Sequence, residues 1–132
     1  MSFSDYWENT IINHLFGKSV YTPPDHIYVG FSTTDPGDDG ADLSEPAGNG
    51  YERIETSPSD WSVSTVGITE NLTDITFPQP TGDWGIISYV VLFNADSGGN
   101  LLGSAPVVSP RTIDETSTPP NFVAGTLRVH QT

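Results

Sequence analysis

The chain has 132 residues, enough for one domain with a buried core, and carries 17 acidic against 4 basic side chains for a formal net charge of -13. That charge repels a phosphate backbone and an anionic lipid surface alike, so neither nucleic acid nor a membrane is expected as a partner, and the lack of cysteine leaves no disulfide framework and no thiolate site. An apolar fraction of 35% with 13 glycines and 11 prolines favours short strands joined by turns over long helices.

The first element is the exception. Phe3, Trp7, Ile11 and Leu15 recur at four-residue intervals, with Ile12 and Phe16 alongside, which is the apolar stripe of one amphipathic helix over about residues 4–17. Ser4 or Asp5 can cap its start, and Gly17 with Lys18 reads as its stop. Such a helix must lie on a sheet or on a neighbouring subunit. Asp5 and Glu8 are unlike the basic opening of a secretion signal, and no apolar run approaches the ~18 residues that span a bilayer, so a soluble, cytosolically made protein is expected.

Thr22-Pro23-Pro24 forces an extended linker into a strand at His26–Thr33. From Thr34 to Gly50 the sequence has many turn formers and almost nothing to bury, and is expected to be a long, mobile acidic loop. Short strands follow at Tyr51–Glu55, Trp61–Val66 and Thr73–Phe77. Gly82–Leu102 then reads as a long buried strand, a turn at Asp96–Gly99 and a returning strand. Further strands are expected at Leu101–Val108, Arg111–Ile113 and Thr126–His130, with a polar loop at Thr116–Asn121. The sum is an all-β single domain over 1–132, an antiparallel β-sandwich of jelly-roll-like type over about 26–131 with one N-terminal amphipathic helix.

No pattern in the chain carries catalytic chemistry. Asp96-Ser97-Gly98-Gly99 has a superficial likeness to a serine-protease nucleophile, but Ala95 precedes it, Asn100 follows it, and a hairpin turn accounts for it. If Asp35 opens a calcium loop, its third position is Gly37 and its twelfth Pro46, so two oxygen ligands are missing. His14, His26 and His130 have no zinc-binding spacing, and no metal or cofactor is expected. Asn71-Leu72-Thr73 fits a glycosylation acceptor by pattern alone. The docking candidates are therefore the acids Asp35, Asp38, Asp39, Asp42 and Glu45 of the long loop, which suit a basic partner surface. Trp61 and Trp84 are the candidates for stacking on a sugar, while Trp7 and Tyr89 are assigned to the core.

The ordered set Tyr6-Trp-Glu-Asn-Thr-Ile-Ile-Asn-His-Leu-Phe-Gly, Tyr21-Thr-Pro-Pro, Ile27-Tyr-Val-Gly-Phe-Ser-Thr-Thr-Asp-Pro, Gly50-Tyr-Glu-Arg, Ile75-Thr-Phe-Pro, Asp83-Trp-Gly-Ile-Ile, Phe93-Asn-Ala-Asp-Ser-Gly-Gly-Asn-Leu-Leu and Phe122-Val-Ala-Gly-Thr-Leu resembles small virion proteins of tailed bacteriophages. These are labelled tail-fibre or head decoration proteins. The resemblance implies a non-enzymatic structural protein of the virion, assembled in the host cytoplasm. The first expectation is a capsid decoration, or cement, protein that contacts the major capsid protein and neighbouring virion subunits as a homo-oligomer, a trimer being favoured. The alternative is a tail-fibre or tail-associated protein that binds a host-surface glycan through Trp61 or Trp84.

Overall fold

The structure is a computed structural model and describes residues 1–130, so the last two residues of the expected domain, and the last of the expected sandwich, lie outside the described residues. The chain runs β1 (Ser2–Phe3), α1 (Asp5–Leu15), β2 (Ile27–Ser32), β3 (Ile54–Thr56), a 3-10 turn at Pro58–Asp60, β4 (Ile68–Glu70), β5 (Ile75–Thr76), β6 (Gly85–Phe93), β7 (Leu101–Ile113), β8 (Asn121–Phe122) and β9 (Arg128–His130). All strand pairs are antiparallel. They form a five-stranded sheet in the order β1-β7-β6-β2-β3 and two ribbons, β4-β9 and β5-β8. The described residues are thus mostly sheet with one α-helix. Their pairings define one large sheet and two small ribbons; among the described residues a second full sheet in jelly-roll order is not formed.

The β6-β7 hairpin is the centre. Val90 and Leu92 point into the main core with Val29, Phe31, Phe77, Trp84, Leu102 and Ile113, while Val91 and Phe93, offset by one residue, form a smaller cluster with Leu101 on the other face. Ile87 shares the main-core side with Val90, three residues on, because the ladder slips between Ile87 and Tyr89. At that slip Ile87 pairs with Arg111 and Tyr89 with Pro106, so Ser88 alone faces Val107–Pro110 of β7. The break expected between two strands is therefore a bulge within one long strand, and Val108 protrudes fully exposed from it. The Asp96–Gly99 turn lies inside a wider connection closed by Asn100 N–H donating to Asn94 Oδ1 at 2.8 Å. A Cβ at Gly99, where φ is +70°, would sit 2.6 Å from that oxygen.

Several expected boundaries move. The strand expected at Trp61–Val66 is a single bridge, Trp61 to Asn71, leading into an exposed loop with Val63 and Val66 at its surface; the strand comes later, at Ile68–Glu70. Tyr51–Glu55 shifts to Ile54–Thr56, and Phe3 belongs to β1 instead of the helix. Asn121, expected at the end of a polar loop, starts β8. Asn71 is 1% exposed and holds this half together: its Nδ2 donates to Thr73, Phe122 and Val123 carbonyls, and its Oδ1 accepts from Leu127 N–H. The glycosylation pattern there coincides with a buried structural amide.

Candidate functional site

The long acidic loop is not the free, polar segment that its composition suggests. Pro36 is fully buried and Leu43 packs against the Val91, Phe93 and Leu101 cluster. Thr33 N–H donates to Ser44 O, Thr34 Oγ1 to Asp42 O, and Asp5 N–H to Asp38 O, so both the sheet and the helix start fasten it. Asp35, Asp38, Asp39 and Asp42 remain exposed at its surface, where Asp35 and Asp39 also accept from Gly37 and Ala41 N–H groups in local turns.

Glu45 stands apart from the other four. Arg53 binds it in a fork, Nη2 to Oε1 at 2.6 Å and Nε to Oε2 at 3.0 Å, with the Arg53 side chain 5% exposed. Arg53 Nη1 also donates to the Ala95 and Gly98 carbonyls, and its guanidinium lies 3.5 Å above the Phe93 ring centroid. The Tyr51 hydroxyl donates to Glu45 Oε2 at 2.8 Å and accepts from Phe31 N–H at 2.9 Å, taking over at the edge of β2 beyond the end of β3. Burial, with the Glu45 carboxylate beside it, pushes the Tyr51 phenol far above its ordinary value. Gly30 makes room for this hydroxyl, since a Cβ there would lie 2.6 Å from it. Every polar atom in the cluster is used for fastening, so Glu45 is a structural carboxylate and not a free docking acid.

The two candidate tryptophans separate. Trp84 is 3% exposed, packs edge-on to Tyr51 and Phe77, and donates its Nε1–H to Asn49 O at 2.8 Å. A sugar cannot stack on it, and that part of the expectation is corrected: packing on Tyr51 and Phe77 holds the ring inside the core. Trp61 is half-buried and lines an apolar groove of about 410 Å³ with Trp7, Ile11, Tyr21, Pro23 and Pro24. Its Nε1–H donates to Thr56 Oγ1 at 2.8 Å, and Trp7 Nε1–H donates to the Tyr21 hydroxyl at 3.2 Å, so both indoles are held in place. Burial raises the Tyr21 phenol. Tyr89, assigned to the core, is half-buried on the side of Val91, and burial with nearby Asp35 raises its phenol.

The groove arises where α1 meets the Tyr21-Thr-Pro-Pro linker. Ser4 caps α1: its hydroxyl accepts from Trp7 N–H and donates to Leu101 O, while its own N–H donates to Leu102 O. This sets Trp7 and Ile11 toward the body, and His14 Nδ1 accepts from Tyr21 N–H to bring the linker back along the helix. Sequence reasoning placed Trp7 in the core and left the linker as a spacer. The available signal was an aromatic and two prolines directly after an amphipathic helix, a combination suited to a rigid apolar wall. Among the described residues no set of three carboxylate, imidazole or thiol groups comes together to hold a metal ion, and no helix is long and apolar enough to cross a membrane.

Residues 2–130 match the sequence model of a family described as Podophage GP4 fiber I protein gp80. No curated protein matches the chain.

Proposed function

Since this chain belongs to the podophage GP4 fiber I protein gp80 family, and is thereby a small virion structural protein of a tailed phage, we propose that it is a non-catalytic, fibre-type tail component that binds a host-surface glycan. The observation that carries the reading is the extent of the match: the family spans the helix, the large sheet and both ribbons. The capsid decoration role, with the major capsid protein as partner, lacks this support because the family description names a fibre. The glycan enters at the Trp61 groove, where rigid aromatic and proline faces offer the apolar platform that a sugar ring stacks on. The polar clusters elsewhere are consistent with a passive role, since Glu45, Arg53, Tyr51 and Asn71 spend their hydrogen bonds on the fold.

Particles carrying a small tag at the exposed Asp38–Ala41 turn locate the protein directly by electron microscopy. Density at the tail is expected, and density over the head shell overturns the tail assignment. For the ligand, purified protein is mixed with host-surface polysaccharide. Trp61→Ala should abolish binding and Trp61→Phe should retain part of it; both should melt at a lower temperature, since the indole packs on the core and bonds Thr56, and a cooperative melt well above the assay temperature is the fold control. Undiminished binding by Trp61→Ala removes the groove from the reading, and measurable cleavage of the polysaccharide overturns the non-catalytic role.

A further inference from the structure

The helix has two apolar stripes and the body covers one. Trp7 and Ile11 turn inward, whereas Ile12 is 48%, Leu15 68% and Phe16 73% exposed, and Val20 just beyond the helix is 84% exposed. Glu8, Ile12, Leu15 and Phe16 stand at i, i+4, i+7 and i+8, so they form one outward line that begins on a carboxylate and runs to the C-cap; Lys18 follows just past the helix end, after Gly17 at φ +70°. Residues 9–24 contain no Asp or Glu, in a chain that carries 17 of them.

We propose that this outward stripe of α1 is a self-association surface, on which a second copy of the chain docks its own α1 antiparallel about a two-fold axis. Charge complementarity selects the occupant and the orientation. A register that sets Lys18 beside Glu8 of the second copy centres the axis near Asn13 and lays Leu15 and Phe16 over Ile12 of the second copy. The same register repeats with the roles exchanged, as a two-fold contact requires. Two copies of net charge -13 repel over most of their surfaces, and this acid-free stretch lets them meet without facing carboxylates. A parallel arrangement would set Glu8 against Glu8 and Lys18 against Lys18. The unpaired outer edge of β7 is the competing surface, but Pro106 and Pro110 remove two backbone donors from it and blunt it as a template for strand addition. The four-residue patch is small beside the ~800 Å² per partner of a standard interface, so the association is concentration-dependent. The inference goes beyond the glycan reading and does not rest on it; it replaces the three-fold symmetry implied by resemblance with a two-fold.

Sedimentation velocity over a concentration series tests it on the full chain. The wild type should pass from monomer to dimer as concentration rises, and Phe16→Glu should stay monomeric with the melting temperature of the dilute wild type, because that side chain touches little of its own fold. Glu8→Lys and Lys18→Glu should each weaken the dimer about two- to fivefold, and the double exchange should restore it. A wild type that is monomeric throughout, or trimeric without a dimer, overturns the proposal, as does a Phe16→Glu protein that associates normally or a double exchange that fails to rescue. Polysaccharide binding by the monomeric Phe16→Glu protein separates this outcome from the fate of the Trp61 groove.

Discussion

The loop between β2 and β3 and the helix α1 lie side by side and are held by opposite means. Polar groups fasten the loop: a part-buried carboxylate-guanidinium fork, a tyrosine hydroxyl and several backbone bonds tie it to the sheet, with Pro36 and Leu43 as its apolar contribution. The helix is held chiefly at its start, by the Ser4 cap and the Phe3, Tyr6 and Trp7 side chains; further on Ile11 turns inward and His14 bonds the linker, but Ile12, Leu15 and Phe16 stand in solvent. Composition is therefore a poor guide to which surface is free. An acidic segment is immobilised when one arginine can reach across it, and an apolar helix face stays open when the body is too small to cover both of its stripes.

Removing the fork is the strongest way to break this contrast. Arg53→Ala leaves the 20% exposed Glu45 side chain without its counter-ion and releases the Ala95 and Gly98 carbonyls, so a stability loss of about 3–5 kcal/mol is expected in denaturant titration. Faster proteolysis within 34–50 should accompany it. At the helix, Ser4→Ala removes the cap and strands the Leu101 carbonyl, with an expected loss of about 1–2 kcal/mol. If the two losses are equal, the loop is not the more firmly held region.

Much of the frame is legible in the residues. The apolar run of β6, the turn glycines and the return strand mark the central hairpin, and the four-residue stripe with Ser4 before it marks α1. The fate of the acids is not legible, because a pattern of Asp, Gly and Pro is the same whether or not an arginine closes on it; Glu45 and Arg53 are eight residues apart and meet because the chain turns back where Arg53 leads into β3. Trp84 shows the same limit. Flanked by Asp83 and Gly85 its exposure is open from sequence, and its burial follows from packing on Tyr51 and Phe77 with the Asn49 carbonyl accepting its N–H, residues far from it in the chain. The groove at Trp61 is lined from α1, the linker into β2, the turn at Pro58 and strands β4, β6 and β9, so no local window contains it.

Alkaline titration sharpens the loop side of the comparison. The Tyr51 phenol is raised in the folded protein by burial and by Glu45, so its contribution is fully present below the ordinary tyrosine value of 10.0 and is lost as pH rises beyond it. Stability should fall by about 1.4 kcal/mol per pH unit above that point until the fold gives way. Tyr51→Phe should start less stable at neutral pH, having lost two hydrogen bonds, but show a flatter alkaline limb. An equally steep limb in the variant would place the alkaline loss elsewhere.

The smallest effect is expected where the helix is free. Phe16→Ser removes a large aromatic side chain, and in a core position that would cost several kcal/mol, yet here the residue is 73% exposed and has little of its own fold to lose. At protein concentrations low enough to keep the chain monomeric, the change in unfolding free energy should stay within about 0.5 kcal/mol. At high concentration a self-associating wild type gains apparent stability by mass action and the variant does not, so a gap between the two melting temperatures should open as concentration rises. A constant gap at all dilutions would mean that Phe16 is part of the monomer's packing, and the two ends of α1 would then be held alike.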